Sequence, residues 1–491
     1  MARPQPKTLV IIGAGPAGLT AAIEAQKTGM EVTVLEQDRD YVGGIARTVR
    51  HGGHRFDVGG HRFFSKSGRV NEWWKQHLPG DFIQVRRMSR IFYRGRYFDY
   101  PLKAWNALRN LGVGMSIVCV ASYVWARLFP RKPEQSFEDW VSNRFGRRLF
   151  SIFFKTYTEK VWGMPTSQLS ADWAAQRIKG LSLASAIINA FKGPASGGKG
   201  KVIKTLIDTF DYPRLGPGQM WEKAAQDLQA KGGTLRMGEK VVKIHHAGGR
   251  VTAVETQTAG GERRRHEADA FIVSMPLKET VLALEPPPPA ETLAAARGLG
   301  YRDFLTVALM LEGANPFPDN WIYIHDPSVK LGRIQNFRNW SEALVAPGST
   351  TCLGLEYFCF EGDALWTRSD AELIELGTQE LEALGLAKRG VIQGGVVVRM
   401  AKAYPVYDEH YRQRVTTIKQ ALETYATNLQ VVGRNGMHKY NNMDHSMMTA
   451  FLAVENLKGG RYNLWNVNSD AEYHEEKAGD GSEDAIVRKP A

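Results

Sequence analysis

Cysteine is scarce: three occur in 491 residues, Cys119, Cys352 and Cys359, with no C-x-x-C pair among them. That excludes a disulfide framework and a cysteine-built zinc site, and makes a reducing compartment the simplest setting. No G-x-S-x-G elbow and no P-loop occurs, which removes the nucleophile turn of a serine hydrolase and one common phosphate cradle. His51, His54 and His61 crowd one segment. An H-x-x-H on a glycine loop without carboxylate or cysteine partners is a poor ligand set, so no metal is expected. Zinc-finger spacing and runs of five or more basic residues are missing too, despite a formal charge of +12. Nucleic acid is therefore not an expected partner, and the positive field is left to phosphorylated small molecules or an anionic membrane face.

Long apolar runs are also lacking. The segment Leu111 to Ala126, LGVGMSIVCVASYVWA, holds 16 residues with two glycines and two serines, short of the roughly 20 that a spanning helix needs. It reads as a buried or protruding helix. The alternative is a peripheral contact at the inner membrane face, with Trp125, Arg127, Arg131 and Lys132 at its edge. The first residues, MARPQPKTLVIIGAG, enter a strand without the apolar core and cleavage site of a signal peptide, so a cytoplasmic location is expected.

What is present begins at once. An apolar strand, Thr8 to Ile12, leads into Gly13-Ala14-Gly15-Pro16-Ala17-Gly18 and a helical run, and a second strand ends at Glu36. In such a βαβ start Gly13 allows the tight turn, Gly15 lets the backbone approach a pyrophosphate and Gly18 lets helix pack on strand. The helix N-terminus then offers its positive end to the phosphates. Glu36, 18 residues after Gly18, suits ribose hydroxyls and argues against a 2′-phosphate. A second glycine turn, Gly43-Gly44-Ile45-Ala46-Arg47, adds an arginine for the same pyrophosphate. Near the far end Val431-Val432-Gly433-Arg434 precedes another helix, whose N-terminal dipole favours negative charge on a reduced isoalloxazine. Motifs at both ends of a long chain favour FAD over NAD.

The expected fold is α/β: a Rossmann-like, glutathione-reductase-like FAD-binding domain with an inserted mostly helical domain and a mixed β-sheet substrate domain. Residues 1–68, 205–285 and 411–470 are assigned to the FAD-binding domain, 69–204 to the helical insertion, 286–410 to the sheet and 471–491 to a flexible tail. A linker-like KGPASGGKGK at 192–201 and EPPPPAE at 285–291 punctuate this order, and no internal repeat is visible.

The combination of GAGPAG, GGIART, FDVGGHRFF, KVWGMP with a downstream QRI, and GRNGMHKYNNMDHSMM resembles the UDP-galactopyranose mutase family. This is a branch of the FAD superfamily that also holds amine oxidases and protoporphyrinogen oxidases. The landmarks are spread over residues 8 to 457. The resemblance implies that reduced FAD attacks the anomeric carbon of a nucleotide-diphosphate sugar through flavin N5, expels the nucleotide, and lets the pyranose reopen and reclose as a furanose. It implies an isomerase of polysaccharide biosynthesis, NAD(P)H or a reductase as electron donor, and cations around the diphosphate; the oligomeric state is left open.

Carried over position by position, Arg177, 15 residues after Trp162, and Arg333, 10 residues after Tyr323, would grip the diphosphate. Tyr323, Tyr404 and Tyr440 would donate phenol hydroxyls to it. Asn442 matches a sugar contact, Trp162 belongs to the substrate set, and Arg90 and Tyr100 lie near sugar and nucleotide. Within FDVGGHRFFSK, Gly59 and Gly60 would let a carbonyl approach flavin N5–H, His61 would stand beside the ring as a catalytic residue, and Phe64 would face the base. Val242, Gly44, Arg47, Gly433, Arg434, Asp444 and Met447 complete the cofactor set. Three positions depart from the family pattern: Lys103 for a glutamine, Trp340 for a tyrosine and Thr158 for an asparagine, which leaves base and sugar undetermined. Arg62 is expected in a surface salt bridge. A lone tyrosine in a strand is usually packing, and an arginine after an apolar strand usually a solvated head; five such residues at family spacings favour a diphosphate site. Two other readings stay open. One is an FAD-dependent oxidoreductase of the amine oxidase or protoporphyrinogen oxidase type, the other a flavin-binding scaffold docked at a membrane through residues 111 to 132.

Overall fold

The computed structural model describes residues 6–100, 102, 104–171, 208–348 and 351–468. Lys103, Arg177, the glycine-rich stretch 192–201 and the expected tail lie outside the described residues.

The short apolar runs TLVII, EVTVLE, TLRM, AFIV and LQV form one parallel sheet, in the spatial order Leu429–Val431, Ala270–Val273, Thr8–Ile12, Glu31–Glu36, Thr234–Met237. A parallel sheet needs cover on both faces, which is why its central strands are nearly continuously hydrophobic. Ile11, Ile272 and Val273 are fully buried, and each such side chain contributes about 1.5–3 kcal/mol. The helices Pro16–Gln26, Gly218–Ala230 and Met443–Leu457 share this core. Parallel strands all end on one edge, so Gly13, Glu36, Ser274 and Gly433, remote in sequence, are delivered together.

A second sheet of seven strands runs Ile392–Pro405, Tyr301–Leu311, Thr351–Cys359, Arg333–Asn336, Trp321–Ile324, Ser89–Tyr93, Arg96–Asp99. All its pairings are antiparallel except Trp321–Ile324 against Ser89–Tyr93. Two of its strands thus come from the stretch whose pattern reads as mostly helical. Their periodicity is hard to see because SRIFY and RYFD are short and join by a tight turn at Arg94-Gly95. The register decides what this sheet can do. Tyr323 lies directly opposite Arg333, and Arg333 directly opposite Glu356. Directly opposed residues project from the same face, so tyrosine, arginine and glutamate form one row across three strands.

The helices Phe137–Phe145 and Thr156–Trp162 share a core with that sheet. Phe137–Phe145 begins with a capping box, in which Ser136 Oγ accepts from Asp139 N at 3.1 Å. A π-helical turn, Ser151–Lys155, leads into helix Thr156–Trp162. Lys160 pins that helix by donating to the carbonyls of Ile324, Asp326 and Leu331, and burial lowers its pKa to about 8. Gly163 ends the helix at φ 65°, with a Cβ position only 2.5 Å from the Arg302 guanidinium carbon. Arg302 uses that space to donate to the carbonyls of Lys160, Val161 and Phe358, so the glycine of KVWGMP makes room for a buried cap.

Candidate active site

The first half of the site is main chain. Gly13 N donates to Leu35 O at 2.8 Å, and Gly18 comes so close to Gly13 that a Cβ would stand 1.8 Å from its carbonyl oxygen. Gly15 caps the helix without a side chain, and nothing lies within 4 Å of where its Cβ would be. The first N–H groups of that helix have no acceptor within it. Facing them, Gly43 N donates to Ala14 O at 2.8 Å, and the Cβ position of Gly44 is 3.6 Å from Gly15 Cα. The two glycine turns therefore close on a shared space.

Glu36 borders it, accepting from Ala14 N at 2.7 Å and Asp38 N at 2.9 Å; burial raises its pKa despite these bonds. Arg47 pairs with Asp38 at 2.5 Å, and its Nε is buried with no hydrogen-bond partner. Val242 sits in a β-bulge between Val241 and Lys243, just past Glu239, whose N–H bonds the Glu36 carbonyl. Gly433 has φ 77° and a Cβ position 3.1 Å from Ala17 Cβ. Open glycines, an uncovered helix N-terminus and a buried unpartnered guanidinium N–H fit the pyrophosphate of a dinucleotide.

The second half is side chain. Arg333 donates through Nε and Nη2 to Glu356 Oε2 at 2.9 and 2.6 Å, while Gln335 donates to the other oxygen at 2.9 Å. Its Nη1 edge has no protein partner among the described residues. Burial, the largest single influence, would weaken the guanidinium's hold on its proton, but the groups around it, Glu356 foremost, together outweigh that and keep it charged. Tyr157, Tyr323 and Tyr404 surround the same charge. Tyr323 meets the ring of Tyr100 at 5.0 Å and of Tyr157 at 5.4 Å, and Tyr404 stacks on Tyr440 at 5.6 Å. Trp162 stands edge-on to Tyr404 at 6.5 Å. Burial raises the pKa values of Tyr157 and Tyr404, so these phenols keep their protons and remain donors.

Arg434, next to Gly433, lies 4.8 Å over the Tyr440 ring and 5.4 Å over Tyr404, and so joins the two halves. Between them runs the loop Gly59-Gly60-His61. Gly59 takes φ 80° with its Cβ position 3.8 Å from Arg333 Nη2, and Gly60 is packed by Gln335 and Trp340. His61 Nδ1 is 3.0 Å from Gly59 O. Burial, with Arg434 and Arg333 nearby, lowers its pKa to about 3. The imidazole is therefore neutral; a carbonyl can only accept, so Nδ1 carries the proton and Nε2 presents a lone pair.

Other expected residues have different surroundings. Arg90 is committed to Asp319 through two bonds of 2.9 and 2.6 Å and lies 4.0 Å over Tyr97. Asn442 caps helix Met443–Leu457, and its N–H donates to His445 Nδ1 at 3.3 Å. Asp444 accepts from Ser65 Oγ at 3.1 Å, which ties FDVGGHRFFSK to that helix. Met447 is fully buried and takes the Trp74 indole N–H on sulfur at 3.1 Å. Phe64 is half-buried beside Phe63, which packs on Trp74 and Phe82. Arg62, expected at the surface, is half-buried with its guanidinium 5.3 Å from the Trp321 ring. Trp340, one of the departures, is a core residue whose indole donates to Asn320 O at 2.9 Å.

Two members of the cluster have no role in the sequence reading. Tyr157 stands in the helical segment FFKTYTEKVW, whose other aromatics pack in the core. Glu356 carried a usable signal, a lone acid in the fully buried strand TCLGLEYFC, where a carboxylate demands a partner.

The family model for flavin containing amine oxidoreductases matches residues 16–399. The chain belongs to that family. It is a flavin enzyme, and its cofactor is FAD, for which the glycine edge has the fitting donors. Among amine-oxidoreductase relatives, a 1-hydroxycarotenoid 3,4-desaturase of Flavobacterium sp. (strain P99-3) is 25% identical over 288 residues, 55% of this chain and 56% of the desaturase. A probable UDP-galactopyranose mutase of Klebsiella pneumoniae is 25% identical over 175 residues, 34% of this chain and 43% of that protein. The chain thus spans about half the length of the curated relatives it matches. A crystal structure of reduced UDP-galactopyranose mutase superposes with a TM-score of 0.80 at 23% identity, covering 95% of this chain and 100% of that one. That likeness is one of fold.

Proposed function

We propose that this flavoenzyme is a nucleotide-sugar mutase of the UDP-galactopyranose mutase type, contracting a pyranose to a furanose. The observation that carries the reading is the row Tyr323, Arg333, Glu356, closed in by Tyr157, Tyr404, Tyr440 and Arg434. A cationic, phenol-lined site suits a diphosphate. It disfavours an ammonium substrate, which two guanidiniums repel, and a hydrocarbon, which would leave the open Nη1 edge of Arg333 without an acceptor.

Bound FAD, in its reduced form, would supply the nucleophile for the anomeric carbon. The chain's own residues bind and orient. Gly13, Gly15, Gly18, Glu36, Gly44, Arg47 and Gly433 would hold the dinucleotide, with Val242, Asp444 and Met447 in the same set. Arg333, aided by Arg177, would take the charge of the leaving diphosphate, while Tyr323, Tyr404 and Tyr440 donate to its oxygens. Trp162, Tyr100, Arg90, Phe64 and Asn442 would shape the sugar and nucleotide ends. His61 keeps Nδ1–H on the Gly59 carbonyl and so fixes the loop's carbonyl direction, with Nε2 presented to accept a hydrogen bond. The parallel sheet supports a Rossmann-like, glutathione-reductase-like FAD unit built from 1–68, 205–285 and 411–470. Residues 286–410 would form the substrate sheet and 69–204 a mainly helical insertion that lends it two strands.

The test is a panel of UDP- and other nucleotide-hexoses offered to photoreduced and oxidised enzyme side by side. A furanose product from the reduced form alone is expected. Family membership favours the rival, hydride removal from a substrate carbon; anaerobic bleaching of the flavin by a substrate, with no furanose from any sugar, would establish it instead.

A further inference from the structure

The described residues expose twelve large apolar side chains, and nine of them lie between Trp105 and Phe129. They belong to two helices, Ala104–Leu111 and Val113–Leu128, bent by 119° at Gly112. On the second helix Val113, Ile117, Val120, Val124 and Leu128 recur at intervals of four and three residues and form one continuous outward stripe. Trp105, at 74% exposure, on the first helix and Trp125, at 66%, beside the stripe on the second, are exposed as well. The inner face is firmly seated. Cys119 is buried with Phe98, Ile152 and Phe153, and a Cβ on Gly146 would fall 2.6 Å from Tyr123 N. The stripe is therefore built on a fixed base, and none of the described residues covers it.

Charge selects what covers it. Between Asp99 and Glu134 the sequence has no acidic residue. Arg109, Arg127 and Lys132 at the ends of the helices are exposed, as are Arg147 and Arg148 on the adjoining helix. A second copy docked on this face would set those cations against each other, while the carboxylates that follow, Glu134, Glu138 and Asp139, are already paired with Arg144 and Arg131. Anionic headgroups would neutralise them while the stripe enters the acyl boundary, with tryptophans at the level they favour. Among the described residues no single helix is long and apolar enough to cross a membrane, and the two helices of this face, which reach that length only together, are bent by 119°, a shape suited to lying in the interface plane.

We propose that this face docks the protein on an anionic lipid bilayer. The proposal stands apart from the mutase reading, although Tyr100 and Tyr323 pack against the same small core as the inner side of the docking helix.

The experiment is flotation of the flavin-loaded full chain with vesicles of phosphatidylcholine alone, and of phosphatidylcholine containing about one-third phosphatidylglycerol. Binding to the anionic vesicles is expected to exceed that to neutral ones at least tenfold and to weaken with salt. The double variant Ile117→Glu/Trp125→Glu should lose at least about tenfold in binding, with flavin content and melting temperature unchanged. Equal binding to both vesicle types, or none to either, overturns the proposal. So does a dimer in light scattering that the double variant splits while vesicle binding persists. Should that variant not fold, the lipid and salt series on the unaltered protein decides the matter alone.

Discussion

The two halves of the candidate site are built by opposite means. The glycine edge works by removing side chains: Gly18 packs directly on the Gly13 carbonyl, and Gly15 and Gly44 leave main-chain N–H groups and a helix end bare. The row Tyr323, Arg333, Glu356 works by adding them, and holds each in place through the residue on the next strand. The lesson is that a main-chain site is written in local spacing, whereas a side-chain site is written in strand register. The first tolerates no added atom on its packed side, the second no lost partner.

Replacing Gly18 by valine should break the comparison's first half most severely. Its Cβ would enter the Gly13 carbonyl, so no flavin-loaded protein is expected, judged by flavin absorbance per chain. Gly15→Val, with open space around it, should instead fold with a nearly unchanged melting temperature and bind FAD at least about tenfold more weakly. Identical behaviour of the two variants would collapse the distinction between packing glycine and ligand glycine.

Within the row, Glu356→Gln should cost about 3–5 kcal/mol in urea denaturation, because it strands a buried guanidinium. Arg333→Lys keeps the charge but loses the planar fork. About a hundredfold lower kcat/KM on the active nucleotide sugar is expected, with flavin content unaffected.

Smaller effects separate the two buried titrating groups of the FDVGGH loop. His61 falls from 6.5 to about 3 on folding. Stability is therefore full above 6.5 and declines as pH drops toward 3, by about 1.4 kcal/mol per pH unit. His61→Asn should flatten that slope and leave FAD bound, while slowing turnover. Asp57, which accepts from Tyr212 and Thr48, is pushed by burial from 3.8 to about 8. Its contribution is full below 3.8 and is lost as pH rises through about 8, so Asp57→Asn should remove that alkaline-side loss. Urea midpoints across pH for both variants check the opposite signs. The smallest change expected is Tyr157→Phe, roughly a few-fold in KM, since neighbouring phenols remain.

This ranking follows how legible each part was. The parallel sheet's first two strands, the glycine turns and Glu36 could be read from spacing alone, because a helix dipole and a missing Cβ act over a few residues. Of the row, Tyr323 and Arg333 could be named only by likeness to a family and Glu356 not at all, because nothing near Arg333 in the chain says that residue 356 will face it. Tyr157 lies about 165 residues from Tyr323, and its role depends on Lys160 pinning one turn of helix to the sheet's carbonyls. The strands Ser89–Tyr93 and Arg96–Asp99 were too short to break a helical reading by pattern.

One feature of the parallel sheet bears on time rather than on energy. Its strands come from residues 8 to 431, and Arg434 follows its last strand. A nascent chain therefore displays Gly13 to Gly18 about 420 residues before Gly433 exists, an interval of roughly 20–80 s at the usual pace of translation. The dinucleotide edge stays half-built until Gly433 has been added, and non-local pairing of this kind is slow. Flavin capture should therefore wait for that strand, and adding the cofactor after release should recover as much holoenzyme as supplying it during translation.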